Sequence, residues 1–286
     1  MPDIYEIEKI NRNTEPLWLE WIRLNLMRLC EPLEMVKMML ESGQWRYEDA
    51  AEIVDSQLVH LNRHVNWRLK QPHINAQNRI SIDDRDISVT ARLSSPEVVL
   101  LENVLSDEEC DLLIELALNK GLSRSLVLGN LDGNSIEHDG RTSTSIFFQR
   151  SENPFVCSIE RRLSYLTNWP ITKGEGLQVV CYAEGQQYAP HFDWFNPDAP
   201  SAKKTLARGG QRLSTTVIYL KCPNLGGSTA FSAKGVELTP TKGGAIFFKN
   251  VTRIGTLDQE SRHSGDPVRE GLKIVATYWQ RESEFI

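Results

Sequence analysis

The chain reads as an α+β protein, with helices first and then a mainly β core of the sandwich or jelly-roll kind. Three observations point there. Apolar residues recur at three- and four-residue spacing ahead of residue 60. After Arg79 the pattern turns to short strand-like runs, and Gly/Pro/Asn clusters such as Pro223-Asn224-Leu225-Gly226-Gly227 separate the later ones. At 286 residues, 40% apolar and 24% charged, the chain suits one large domain or a smaller one with an appendage.

Taken in order, Leu17, Trp18, Trp21, Ile22, Leu24 and Met27, then Met35, Val36, Met39 and Leu40, predict helix over 15–58. Glu31-Pro32 and Ser42-Gly43 divide it into about three pieces. Trp18, Trp21 and Trp45 are either the core of a small helical cap or a docking surface for a partner. The polar stretch 71–78, carrying Pro72, predicts a linker, which places a helical extension at 1–75 and a second domain at 76–286. Ile80–Asp83 and Val98–Leu101 read as strands. Ser106 as N-cap with Glu109 three residues on forms a capping box, opening a helix that Gly121 ends. A second helix spans Glu152–Thr167, and strands follow at Leu177–Tyr182, Leu213–Leu220, Ala245–Phe248 and Leu272–Trp279. The long segment 194–212, with Pro197, Pro200, Lys203, Lys204 and Arg208, predicts a mobile lid, and Gly129–Gly140 a further loop.

A net charge of −6 argues against a nucleic-acid binder that relies on phosphate neutralisation, although Lys203, Lys204, Arg208 and Arg212 leave room for a local basic groove. Five cysteines without a Cys-x-x-Cys pair read as free thiols in a reducing, cytoplasmic setting. The first residues show no basic region followed by an apolar one, so no secretory signal is expected. No run approaches 18 apolar residues, so no membrane span is expected.

The chemistry is carried by His191-Phe192-Asp193, His263 and Lys273. Residues at i and i+2 of a strand share a face, so His191 and Asp193 are expected to project together. Two histidines and one carboxylate on one side of a metal, with other positions open, is the pattern of non-haem Fe(II) oxygenases. In the strand Leu272–Trp279, Lys273, Val275, Thr277 and Trp279 share one face, and Leu272, Ile274, Ala276 and Tyr278 the other. The second face is apolar enough to pack on helices. The first suits a cavity in which the ammonium needs an anionic partner, a ligand carboxylate being a ready one. His138-Asp139 reads as exposed loop; His60 and His64, at i and i+4, and His73 read as solvated or interfacial.

Residues 177–193, Leu-Gln-Val-Val-Cys-Tyr-Ala-Glu-Gly-Gln-Gln-Tyr-Ala-Pro-His-Phe-Asp, resemble the metal-binding strand region of the prolyl 4-hydroxylase α-subunit family. The resemblance continues through 209–212, Tyr219-Leu220, 226–231, 240–248, 263–268 and Gly271-Leu272-Lys273, with the helix opening at Leu105–Ile114 upstream, and covers about 97–281. It implies a double-stranded β-helix and hydroxylation coupled to oxidative decarboxylation of 2-oxoglutarate to succinate and CO2. It implies His191, Asp193 and His263 as Fe(II) ligands, and Lys273 with Thr277 on the distal carboxylate of 2-oxoglutarate. Tyr182 and Tyr219 match co-substrate-pocket positions, or are ordinary core tyrosines. Tyr188, Arg212 and Trp279 match positions that contact a peptide, while Trp279 also reads as packing and Arg212 as a sheet-edge charge. The implied partners are Fe(II), 2-oxoglutarate, O2, ascorbate as a reductant, and a prolyl peptide or protein, with a free amino acid or small metabolite as the alternative and a catalytically silent binding module as the lesser one.

Overall fold

In the computed structural model the described residues are 16–28, 30, 32–60, 72–128, 135–252 and 256–286. The chain divides into two compact units, one of residues 1–70 with 253–256 and one of 71–252 with 257–286. The first contains α1 (Pro16–Met27), α2 (Pro32–Glu41) and α3 (Tyr47–His60). Ile22, Leu26, Met35, Val36, Met39, Val54 and Leu58 form its core, and Trp18, Trp21 and Trp45 pack against that core with edge-to-face ring contacts. The three indoles therefore act as packing, as aromatic edge contacts with apolar neighbours do elsewhere.

The second unit opens with a surprise. Its stretch 72–78, expected as linker, holds a short helix α4 (His73–Ala76) with Ile74 fully buried. The Arg92 guanidinium donates to the Ile74 carbonyl and ties it down. Then come β1 (Arg79–Ile82), β2 (Arg85–Ser94), β3 (Glu97–Glu102), α5 (Asp107–Lys120), β4 (Ser123–Arg124), β5 (Val127–Leu128), β6 (Ser135–Ile136), β7 (Thr144–Phe148) and α6 (Pro154–Thr167). The capping box on α5 is present in both directions, and α6 starts two residues later than expected, with Asn153 as N-cap and Pro154 at the first helical turn. There follow β8 (Gly174–Tyr182), β9 (Tyr188–His191), α7 (Ala202–Leu206), β10 (Arg212–Lys221), β11 (Leu225–Gly226), β12 (Thr229–Phe231), β13 (Val236–Leu238), β14 (Ala245–Lys249), β15 (His263–Gly265), β16 (Val268–Glu270) and β17 (Lys273–Arg281).

Nine strands form a major sheet in the order β1-β2-β3-β14-β10-β17-β8-β7-β4, and four form a minor sheet, β13-β12-β15-β9. One face of the major sheet presents Leu177, Val179, Ile218, Leu220, Phe247, Ile274, Ala276 and Tyr278 to the apolar sides of α5 and α6, among them Leu113, Val156, Ile159 and Leu163. Each such side chain stabilises the fold by about 1.5–3 kcal/mol on burial. The opposite face turns Val180, Val217, Tyr219, Val275, Ile246 and Phe248 toward Phe231 of the minor sheet and Val268 of β16. This is the two-layer jelly roll, and the parity expected for β17 holds along its length. Among the described residues no helix is long and apolar enough to cross a membrane.

Candidate active site

The cavity lies on the inward face of the major sheet, closed by the minor one. His191 ends β9, His263 begins β15, and the two are direct cross-strand partners, which brings the rings together. Each ring is aimed by its own backbone: His191 Nδ1 lies 2.9 Å from the Ala189 carbonyl and His263 Nδ1 2.9 Å from the Ser261 carbonyl. With Nδ1–H donated there, each Nε2 is left as a lone-pair donor facing inward. Asp193 meets both, at 3.6 Å from His191 Nε2 and 3.7 Å from His263 Nε2, and one ligand atom from each residue lies within 4.8 Å of the others.

The expected reason for that meeting needs correction. Asp193 is not on the strand; β9 stops at His191, and Asp193 sits in the bend that follows. It converges with His191 because the chain turns there. The Trp194 indole N–H donates to the Asp258 carbonyl and Phe195 is clamped at both backbone atoms by the Gln211 side chain, while Thr215 donates its hydroxyl to the carboxylate.

The protonation states suit a divalent metal. Burial opposes charge on Asp193, but the His263 and His191 rings and the Arg212 guanidinium outweigh it and hold the carboxyl well below the usual carboxylate range. Burial, then the neighbouring His191, pushes His263 down to about 4. At neutral pH the set is an ionised carboxylate facing a neutral His263 ring, the hard-and-intermediate donor set that Fe(II) accepts.

Lys273 lies on the same cavity wall, only 2% exposed. Its ammonium stands over the rings of Tyr182 and Tyr219, at 5.3 and 5.0 Å from their centroids. No residue among those described gives it a hydrogen bond or a carboxylate within ion-pair reach. Burial pushes it down to about 8, with Asp266 opposing. A Cβ at Gly227 (φ 69°) would crowd Pro223 at 2.8 Å and the Lys273 stem at 3.3 Å, so the Gly226-Gly227 turn makes room for that stem.

Tyr182, Tyr188, Thr277 and Trp279 line this cavity too. Tyr188 stacks on His191, ring centroids 3.5 Å apart at 17°. Tyr219 stands behind the wall, its hydroxyl engaged with Thr229 Oγ1 at 2.8 Å. Arg212 is committed within the chain: it holds Glu175 through two bonds of 2.6 and 2.7 Å and stacks 3.9 Å from the Trp279 ring. Arg281 joins the same carboxylate at 2.8 Å.

The segment 194–212 differs from the loose lid expected. None of it is among the residues lining the cavity. It carries α7, Arg281 donates to its Thr205 carbonyl at 2.6 Å, and Arg208 donates to the Ile286 carbonyl at 3.0 Å. Its pairing with Glu175 takes Arg212 out of the basic cluster expected with Lys203, Lys204 and Arg208. His138 is a loop residue whose Nδ1 accepts from the Gly140 N–H, and His73 stacks on Tyr165. His64 and residues 129–134 lie outside the described residues, as does the side chain of His60. The five cysteines are free thiols.

One cavity residue went unread. Arg141, 8% exposed, lines the site, donates to the Leu126 carbonyl and Gln178 Oε1 at 3.0 Å each, and stacks over the Tyr188 ring at 4.7 Å. It is a second cation on the wall, and among the described residues no carboxylate pairs with it. The only local signal was a charged residue set among Thr142, Ser143 and Ser145, which by itself reads as surface loop.

Comparison with known proteins agrees with this geometry. Residues 177–281 match the model of the 2OG-Fe(II) oxygenase superfamily. Prolyl 4-hydroxylase 2 of Arabidopsis thaliana is 37% identical over 213 residues, 67% of this chain and 69% of that protein. Probable prolyl 4-hydroxylase 7 of the same plant is 36% identical over 215 residues, 69% of this chain and 66% of its own length. The chain thus spans about two thirds of these relatives. A viral collagen prolyl hydroxylase from Paramecium Bursaria Chlorella virus-1, solved as its 2OG complex, superposes with a TM-score of 0.50 at 30% identity, covering 64% of this chain and 95% of that one. With its jelly-roll core and His-Asp-His cluster, this chain belongs to the prolyl 4-hydroxylase family of Fe(II)- and 2-oxoglutarate-dependent dioxygenases.

Proposed function

We propose that the protein hydroxylates a prolyl residue in a peptide or protein, with decarboxylation of 2-oxoglutarate to succinate and CO2. The observation that carries this reading is the shared cavity of two histidine Nε2 atoms, an ionised carboxylate and an otherwise unpaired buried ammonium. His191, Asp193 and His263 would hold Fe(II). Lys273, whose ammonium stands over the rings of Tyr182 and Tyr219, would take the distal carboxylate of 2-oxoglutarate, with Thr277 four residues further along the same cavity wall. Bound together, Fe(II) and 2-oxoglutarate supply the oxidation in which one atom of O2 goes to the substrate C–H bond and the other to succinate.

The chain's own residues orient and enclose. Tyr188 and Trp279 give flat apolar walls on which a pyrrolidine ring and its flanking peptide can rest, and Arg141 offers guanidinium hydrogens toward peptide carbonyls. Arg212 supports Trp279 by stacking. We read the helical extension and the catalytic domain as separate parts of the chain, because the compact catalytic unit begins at residue 71.

The test is succinate release with Fe(II), 2-oxoglutarate, O2 and ascorbate. A proline-rich peptide should raise it and gain 16 mass units on a prolyl residue, while free proline should not. Stimulation by free proline alone would replace the peptide with a small-molecule substrate.

A further inference from the structure

Asp193 is held from behind by a chain of buried polar groups that none of the roles above uses. The Thr215 hydroxyl on β10 lies 2.7 Å from Asp193 Oδ2, and Asn250 Nδ2, just past the end of β14, lies 2.9 Å from that hydroxyl. Thr215 is 1% exposed and Asn250 is fully buried. The direction of each bond is forced. An ionised carboxylate only accepts, so the Thr215 O–H must donate to it, and the hydroxyl oxygen then accepts from the Asn250 amide.

Asn250 is itself anchored through its backbone. Its N–H donates to the Leu213 carbonyl at 2.9 Å, and its carbonyl accepts from the Asp258 N–H at 3.0 Å. The Asp258 carbonyl accepts from the Trp194 indole at 3.2 Å and the Ser261 hydroxyl at 2.7 Å. Trp194 follows Asp193 directly, and the Ser261 carbonyl orients His263. One network therefore reaches two members of the cluster from outside the cavity.

We propose that Thr215 and Asn250 are positioning residues of the metal site, fixing the Asp193 carboxylate and its register with His263 before an ion arrives. The inference rests on the reading of His191, Asp193 and His263 as metal ligands. A bare Asp193 could rotate about its side-chain torsions. With one oxygen engaged by Thr215, rotation would cost a buried hydrogen bond to a charged group and leave the Thr215 hydroxyl, whose oxygen Asn250 already holds, without an acceptor.

The experiment is calorimetric titration of the metal-free full chain with Mn(II), alongside thermal melting of each metal-free protein. Thr215→Val keeps the side-chain shape but not the hydroxyl, and should weaken Mn(II) binding by about 10–100-fold. Thr215→Ser should restore binding close to wild type. Asn250→Ala should also weaken binding, and adding it to Thr215→Val should cost less than the product of the two single effects, since both break one relay. A Thr215→Val protein that binds Mn(II) as tightly as wild type overturns the proposal, and if that variant does not fold, Asn250→Ala decides it on the same criterion. A wild-type protein that takes up no Mn(II) overturns the ligand assignment first and the relay with it.

Discussion

At the metal end of the cavity the polar groups have partners inside the chain: two backbone carbonyls for the imidazoles and a threonine hydroxyl for the carboxylate. At the lysine end the ammonium has two aromatic rings and Asp266 in its field but no hydrogen-bonding partner among the described residues. Asp193 and His263, at 6% and 5% exposed, are buried much as Lys273 is at 2%, so exposure does not explain the contrast. A buried unpaired charge is costly in a finished core, and its persistence marks the place where a ligand completes the structure. The metal end is organised by the fold; the lysine end waits for an anion.

That contrast can be broken from the organised side first. Glu175 balances Arg212 and Arg281, and Glu175→Gln should cost about 3–5 kcal/mol of stability by removing the buried carboxylate charge that both guanidiniums hold. Denaturant unfolding checks it. On the unfinished side, Lys273→Met should leave stability nearly unchanged or raise it, because it removes an unpaired buried charge. The same change should weaken 2-oxoglutarate binding by about 2–5 kcal/mol, measured by titration of the metal-loaded protein.

A pH series sharpens the same point. Lys273 is pushed down to about 8 without co-substrate, and a bound carboxylate would raise it again. Binding therefore takes up a proton above that pH, and affinity for 2-oxoglutarate should fall by up to about tenfold per pH unit as pH rises past it. Lys273→Met should show no such slope. A substitution remote from both ends sets the baseline: Ser106→Ala removes half of the α5 capping box and should lower stability by about 1 kcal/mol while leaving both affinities alone.

Much of this was legible in the residues. The parity of β17 separated the Ile274, Ala276, Tyr278 face from the Lys273, Thr277, Trp279 face, because alternation in a two-sided buried strand is a local property. The capping box on α5 was equally local. In the minor sheet β12 and β15 were not legible, being three residues long and too short to show a period, and β9 was expected at His191 but carried too far, to Asp193. By contrast, β2 alternates Ile87, Val89, Ala91 and Leu93 and was open to the same reading that found its neighbours. Thr215, Asn250 and Arg141 escaped because a buried hydroxyl, amide or guanidinium acquires its role only from partners far along the chain.

The most direct test is an anaerobic titration of the Fe(II)-loaded protein with 2-oxoglutarate, followed by the weak metal-to-ligand charge-transfer band in the visible. Wild type should develop a saturable band, His263→Ala none at any concentration, and Lys273→Met the same band at higher 2-oxoglutarate. A band that survives His263→Ala, or one that saturates in Lys273→Met at the wild-type concentration, would contradict the division of labour between the two ends.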